Sequence, residues 1–207
     1  MTSIYAPVST FPLSHPARGR VTRSFGLGKM VKVKYDPMLP NSMCYWNVNK
    51  LVKSEGGKLL FCWQILQWPG LYVEAHHHAI WQSSQGKLID ITTKDPSDHR
   101  LFSVVILDTS NAIDITWPPN IENRYVKLKE CPEVDEYIAA NHEQIRHRQR
   151  MTETAKRLGC QFDPERGISG KKSSEKALKG EIEEERRLQI RMGDAIKACA
   201  AIDRKTV

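Results

Sequence analysis

Cys44, His78 and Asp90 follow one another along the chain as a thiol, an imidazole and a carboxylate. These three residue types can carry acyl transfer: a thiolate attacks a carbonyl, an imidazole takes and returns the proton, and a carboxylate holds the imidazole in the useful tautomer. A free cysteine, with a pKa of about 8.5, is mostly protonated at neutral pH. A place in the first turn of a helix, beside an imidazolium, would favour the thiolate twice over, through the helix dipole and through the neighbouring charge.

The elements that must position them can be read from periodicity. Asn41 or Ser42 can cap a helix over 42–54, where Cys44, Val48, Leu51 and Val52 share one face and Gly56-Gly57 ends it. Residues 59–66 read as a buried strand, Trp68-Pro69-Gly70 as a turn, 71–82 as a second strand, Ser84-Gln85-Gly86 as another turn and 87–92 as a third strand. The expectation is an antiparallel meander behind the Cys44 helix. On the second strand, alternation puts Glu74, His76, His78 and Ile80 on one face and His77 and Ala79 on the other, so His78 is expected to face the helix together with His76.

Elsewhere the pattern is weaker. Residues 1–28, with Pro7, Pro12, Pro16 and Arg18-Gly19-Arg20, lack periodicity and read as an N-terminal arm. Alternation over Met30–Tyr35 predicts a short strand that Pro37 and Pro40 stop, and further strands are expected at 103–108 and 124–128. From Pro132 a long helix begins, with His142 and His147 expected in its solvated, polar part. A Gly/Ser/Lys-rich linker at 159–174 precedes a last helix over 175–201 striped by Leu178, Ile182, Met192, Ile196 and Cys199. The organisation expected is an arm at 1–28, an α+β core at 29–132 and a charged helical extension at 133–207.

Composition narrows the function classes. The 207 residues suffice for one domain with a core plus an appendage. Five cysteines, odd in number and without a Cys-x-x-Cys pair, point away from a disulfide scaffold and from a four-cysteine zinc site. No apolar run nears the roughly 20 residues that span a bilayer, and the start lacks a secretory pattern, so a cytoplasmic protein without membrane contact is expected. The net charge of +7 is concentrated at the two ends, which makes a polyanion or nucleic acid a candidate partner.

The order helix-Cys, strand-His, strand-Asp over residues 40–95 resembles the papain-like superfamily, in particular its NlpC/P60 and transglutaminase-like branches. The stretch also resembles a group of bacterial and phage proteins with Cys-x-x-Asn-Val, Gly-Gly, a Trp-bearing strand, Glu-Ala-x-x-His-Ala-x-Trp and Gly-x-Leu-x-Asp-Ile-Thr. Here those pieces are Cys44 to Val48, Gly56-Gly57, Trp63, Glu74 to Trp81 and Gly86 to Thr92. The resemblance implies a papain-like α+β core, a Cys-bearing helix on an antiparallel sheet. It further implies a thiol hydrolase or acyl transferase, without cofactor, acting on an amide or related bond of a peptide or protein. Cys44 would be nucleophile, His78 base and Asp90 orienter. The papain branch's oxyanion-hole Gln has no counterpart, which leaves Asn41, Ser42 or the Cys44 N–H as donors. Trp46, Trp63 and Trp81, with His76, are candidates to line a pocket. Two alternatives stand beside this reading: a metal site using His76, His78 and either Cys44 or Glu74, and a non-enzymatic protein on the same fold that binds a partner through its basic ends.

Overall fold

A computed structural model describes residues 6–40, 43–94, 98–109 and 113–203. They form two compact units, one from residues 6–112 and 123–129, the other from 113–122 and the residues from 130 onward. The chain is mixed α+β, as expected.

The first unit contains β1 (Ser9–Thr10), α1 (Arg18–Phe25), β2 (Val31–Leu39), α2 (Cys44–Glu55), β3 (Lys58–Trp68), β4 (Tyr72–Gln82), β5 (Leu88–Thr92), β6 (Phe102–Leu107) and β7 (Arg124–Lys127). β3 and β4 pair along their whole length, from Lys58 opposite Gln82 to Trp68 opposite Tyr72, which puts Cys62 opposite His78. β5 returns antiparallel to β4, but only at Trp81 opposite Ile89 and Gln82 opposite Leu88. It then runs beside β2, which pairs with β6, which pairs with β3, so five strands close into a ring. The expected meander of β3, β4 and β5 is present, but the sheet is not wholly antiparallel, because β2 and β5 are parallel. β2 precedes α2 in the chain, and the long crossover back to its neighbour permits parallel pairing. Alternation along β2 carries no information about that direction.

Packing follows the two faces. Val33, Cys62, Ile80 and Val105 cluster on one side of the ring strands. Ala79, Ile89 and Ile91 lie on the opposite face and pack against Cys44 and Val48 of α2, with Leu51 and Val52 alongside. The helix stripe read from sequence is therefore the packed one. Gly56 and Gly57 both have positive φ, as the end of α2 requires. Met43 is the N-cap, and Asn41 and Ser42 lie outside the described residues.

Pro37 does not stop β2. The strand continues to Leu39 through a shift of register between Tyr35 and Leu39, an irregularity that accommodates a residue without an N–H. The N-terminal segment read as an arm carries β1, paired with β3, and α1, and it buries Phe11, Val21 and Phe25.

The second unit contains α3 (Pro132–Arg157), β8 (Gln161–Asp163), β9 (Gly167–Ser169), α4 (Lys172–Ala177) and α5 (Lys179–Asp203). The stretch expected to be a linker is thus a hairpin and a short helix, with Cys160 and Leu178 packed against Ala155. α3 and α5 run antiparallel: Cys199 reaches the Glu133 carbonyl, Arg191 holds Glu136 and Glu143, and Arg148 holds Glu185. Leu188 and Ala195 join Leu178, Ile196 and Cys199 in the buried stripe, while Ile182 is exposed. His147, expected in solvent, is buried with its Nε2 at 3.0 Å from the Glu181 carbonyl, because α5 covers that side of α3. Among the described residues no helix is long and apolar enough to cross a membrane.

Candidate active site

Three elements bring the predicted residues together. β4 is paired with β5 up to Trp81 and with β7 up to Ala75, so the stretch His76–Ile80 between them is an open edge on that side. The N-terminus of α2 meets β4 here. It is anchored by Asn47, whose Nδ2 donates to the Pro40 carbonyl at 2.7 Å and lies 3.4 Å from Thr92 Oγ1 at the end of β5.

The Cys44 side chain hydrogen-bonds His78. His78 Nε2 lies 3.0 Å from Asp90 Oδ1, which leaves Nδ1 as the ring nitrogen for the thiol. The other carboxylate oxygen of Asp90 accepts a 2.5 Å bond from Ser103 Oγ, and Oδ1 also accepts the Thr92 N–H at 3.3 Å. Asp90 has no solvent exposure, so every bond it makes is to protein. Burial alone would raise its pKa, but His78, Ser103 and Thr92 outweigh that and hold the carboxyl below the usual carboxylate range. Burial likewise opposes charge on His78, yet Asp90 and the Cys44 side chain prevail and push its pKa up to about 10. The arrangement sets the Cys44 side chain against an imidazole that a fully bonded carboxylate holds protonated.

The structure also brings in residues that the sequence reading did not select. His77, not His76, shares the α2 side of β4. Its Nδ1 lies 2.8 Å from Tyr45 Oη, its Nε2 3.3 Å from Asp108 Oδ2, and its ring stacks on Tyr45 and meets Trp63 edge-on. Adjacency to Cys44 was the one available signal for Tyr45. His76 keeps access to solvent, while the surrounding protein and the neighbouring His78 and His77 push its pKa down, to about 4. Glu74 is buried, bonded to Tyr125 and Asn123, with Oε2 lacking a hydrogen-bond partner; burial pushes its pKa up to about 7.

Of the aromatic candidates, Trp63 is buried against His77 and under the Arg124 guanidinium, Trp46 is edge-on to Tyr45, and Trp81 donates from Nε1 to the Gly56 carbonyl at 2.9 Å. The oxyanion candidates Asn41 and Ser42 are outside the described residues. Cys62 is core, as read from sequence, and burial, with the charges of Asp90, Cys44 and Asp108, pushes its thiol well up. Among the described residues no group of three or more His, Cys, Asp or Glu side chains is placed to hold a metal ion. The helical unit has a cleft of about 370 Å³ beside Trp117, Asn120, Gln149 and Lys156, whose lining includes no cysteine or histidine.

No family model, no curated protein and no solved structure matches this chain.

Proposed function

We propose that this protein is a thiol-dependent hydrolase or acyl transferase with a papain-like core, acting on an amide or related bond of a peptide or protein. The observation that carries the reading is the continuous chain Cys44–His78–Asp90–Ser103. The Cys44 proton rests on His78, and the sulfur left without it attacks the carbonyl carbon. The charge then on oxygen would be met by the Cys44 N–H at the positive end of α2. The tetrahedral intermediate collapses, the carbon–nitrogen bond breaks, and His78 gives its proton to the leaving amine. A thioester remains. Water or an acceptor amine, its proton taken by His78, attacks the thioester and releases Cys44.

Competition among the five thiols tests the reading. Exposure alone would put Cys131 first, since the other four are buried. Brief iodoacetamide treatment at about pH 6.5, where ordinary thiols are mostly protonated, should instead modify Cys44 first. Asp90→Asn should slow that reaction about tenfold or more, because losing the orienting carboxylate costs up to about 10⁴ in turnover in serine enzymes. Cys131 reacting ahead of Cys44, or indifference to Asp90→Asn, would sink the assignment.

A further inference from the structure

Cys44 and Tyr45 are consecutive on α2, and His77 and His78 are consecutive on β4. Consecutive strand side chains leave opposite faces, so the two imidazoles diverge. Each meets one member of the helix pair: His78 takes Cys44 and His77 takes Tyr45. Each also has its Nε2 on a carboxylate from another part of the sheet, Asp90 of β5 and Asp108 just beyond β6. Two chains thus run back to back through one strand.

The second chain holds no nucleophile. Burial, with the Cys44 and Cys62 charges, raises the Tyr45 phenol far above its ordinary value, so it stays protonated. Burial also lowers His77 despite the Asp108 contact, which keeps the ring neutral. A neutral ring with its proton on Nε2 donates to Asp108 and accepts from Tyr45 at Nδ1. The Tyr45 hydroxyl also lies 3.1 Å from the His77 carbonyl, so its single proton is shared between the ring nitrogen and the backbone of one residue. Asp108 is fixed in turn, its N–H donating to the Phe61 carbonyl of β3 at 2.9 Å. Among the described residues Arg124 is the cation stacked nearby, over Trp63 at 4.7 Å. At the helix end, Met43 gives no side-chain cap, and an uncapped first turn is where a helix frays.

We propose that Tyr45, His77 and Asp108 form a positioning chain that fixes the first turn of α2 on the open edge of β4 and so holds the Cys44 thiol on His78. The proposal rests on the Cys44–His78 pair of the proposed function. None of the three touches the reacting atoms.

The test is to follow the His78 imidazole by nitrogen NMR against pH in full-length wild type, Tyr45→Phe, Asp108→Ala, Asp108→Asn and Val48→Ala. Tyr45→Phe removes one hydroxyl and leaves the ring. In Tyr45→Phe and Asp108→Ala the His78 midpoint should fall by about one pH unit or more, a tenfold change in proton affinity. Asp108→Asn, which keeps an acceptor for Nε2–H, should stay near wild type. So should Val48→Ala, which only loosens the packing of α2. Midpoints unmoved in Tyr45→Phe and Asp108→Ala, with wild type still raised, would overturn the positioning chain alone. An equal fall in Val48→Ala would overturn it too, as general loosening. A wild-type midpoint at the ordinary histidine value would overturn the Cys44–His78 pair and the positioning chain together.

Discussion

Glu74 illustrates how one side chain can carry a pH dependence that the whole protein hides. Its folded pKa, about 7, lies above the ordinary value of 4.5. A raised group contributes stability that is present below the unfolded value and lost as pH rises through the folded one, here from about 4.5 to 7. With the side chain buried, the loss amounts to about 3 kcal/mol. His76 acts in the opposite direction. Its pKa is depressed from 6.5 to about 4, so its contribution is present above 6.5 and lost as pH falls towards 4, more weakly because solvent reaches the ring. The two slopes oppose each other in wild type. In Glu74→Gln, denaturant unfolding between pH 5 and 8 should show a variant that gains relative to wild type as pH rises; a difference independent of pH would refute a buried, titrating Glu74. The identity and order of Cys44, His78 and Asp90 were legible at this scale because spacing and residue type suffice to suggest them. Ser103 and Asp108 were not, because β6 comes near β5 only across the intervening β2, and Asp108 meets a histidine 31 residues away.

Elements were easier to read than their neighbours in space. The α2 stripe and the β3–β4 hairpin follow from local periodicity and turn residues, and both stand where expected. The error about β4 was one of surroundings. Alternation correctly separated His77 from His78, but the ladder with β5 ends at Trp81, and the open edge lets α2 reach both faces of the strand. Where a ladder stops is decided by partners, which no single strand encodes. The polar β8–β9 hairpin looked like a linker for a related reason, having little apolar alternation to announce it. Gly57 shows what the junction of α2 and β3 demands. Its φ is +84°, and a Cβ there would collide with the Gln82 carbonyl and lie 2.7 Å from Trp81 Nε1. Gly57→Ala should therefore cost about 3 kcal/mol or more, since the clash adds to the roughly 1–3 kcal/mol of a strained φ alone. Thermal or urea unfolding checks it, and a neutral variant would mean that the end of β4 can move aside.

At the scale of the whole molecule, each of the two units has its own buried cluster; the helical unit takes in residues from 130 onward, beside the 132/133 limit read from sequence, and also residues 113–122, which the sequence reading places in the core. The Gly/Ser/Lys stretch at 159–174 suggested a cut there, yet Cys160 and Leu178 pack with Ala155, and α5 covers α3 through Leu188, Ala195 and Cys199. A chain ending at residue 158 would retain α3 but lose α5, leaving the apolar positions of α3 without that cover. A chain ending at residue 130 retains every strand of the ring, β7 and α2. The shorter fragment should unfold cooperatively in denaturant and still show Cys44 as the first thiol alkylated, since Cys44, His78, Asp90 and Ser103 all lie within it. The longer fragment should bind a hydrophobic dye and aggregate more readily, because it exposes apolar surface that the full chain buries. A 1–130 fragment that melts without a transition would show that the ring depends on the helices for its stability.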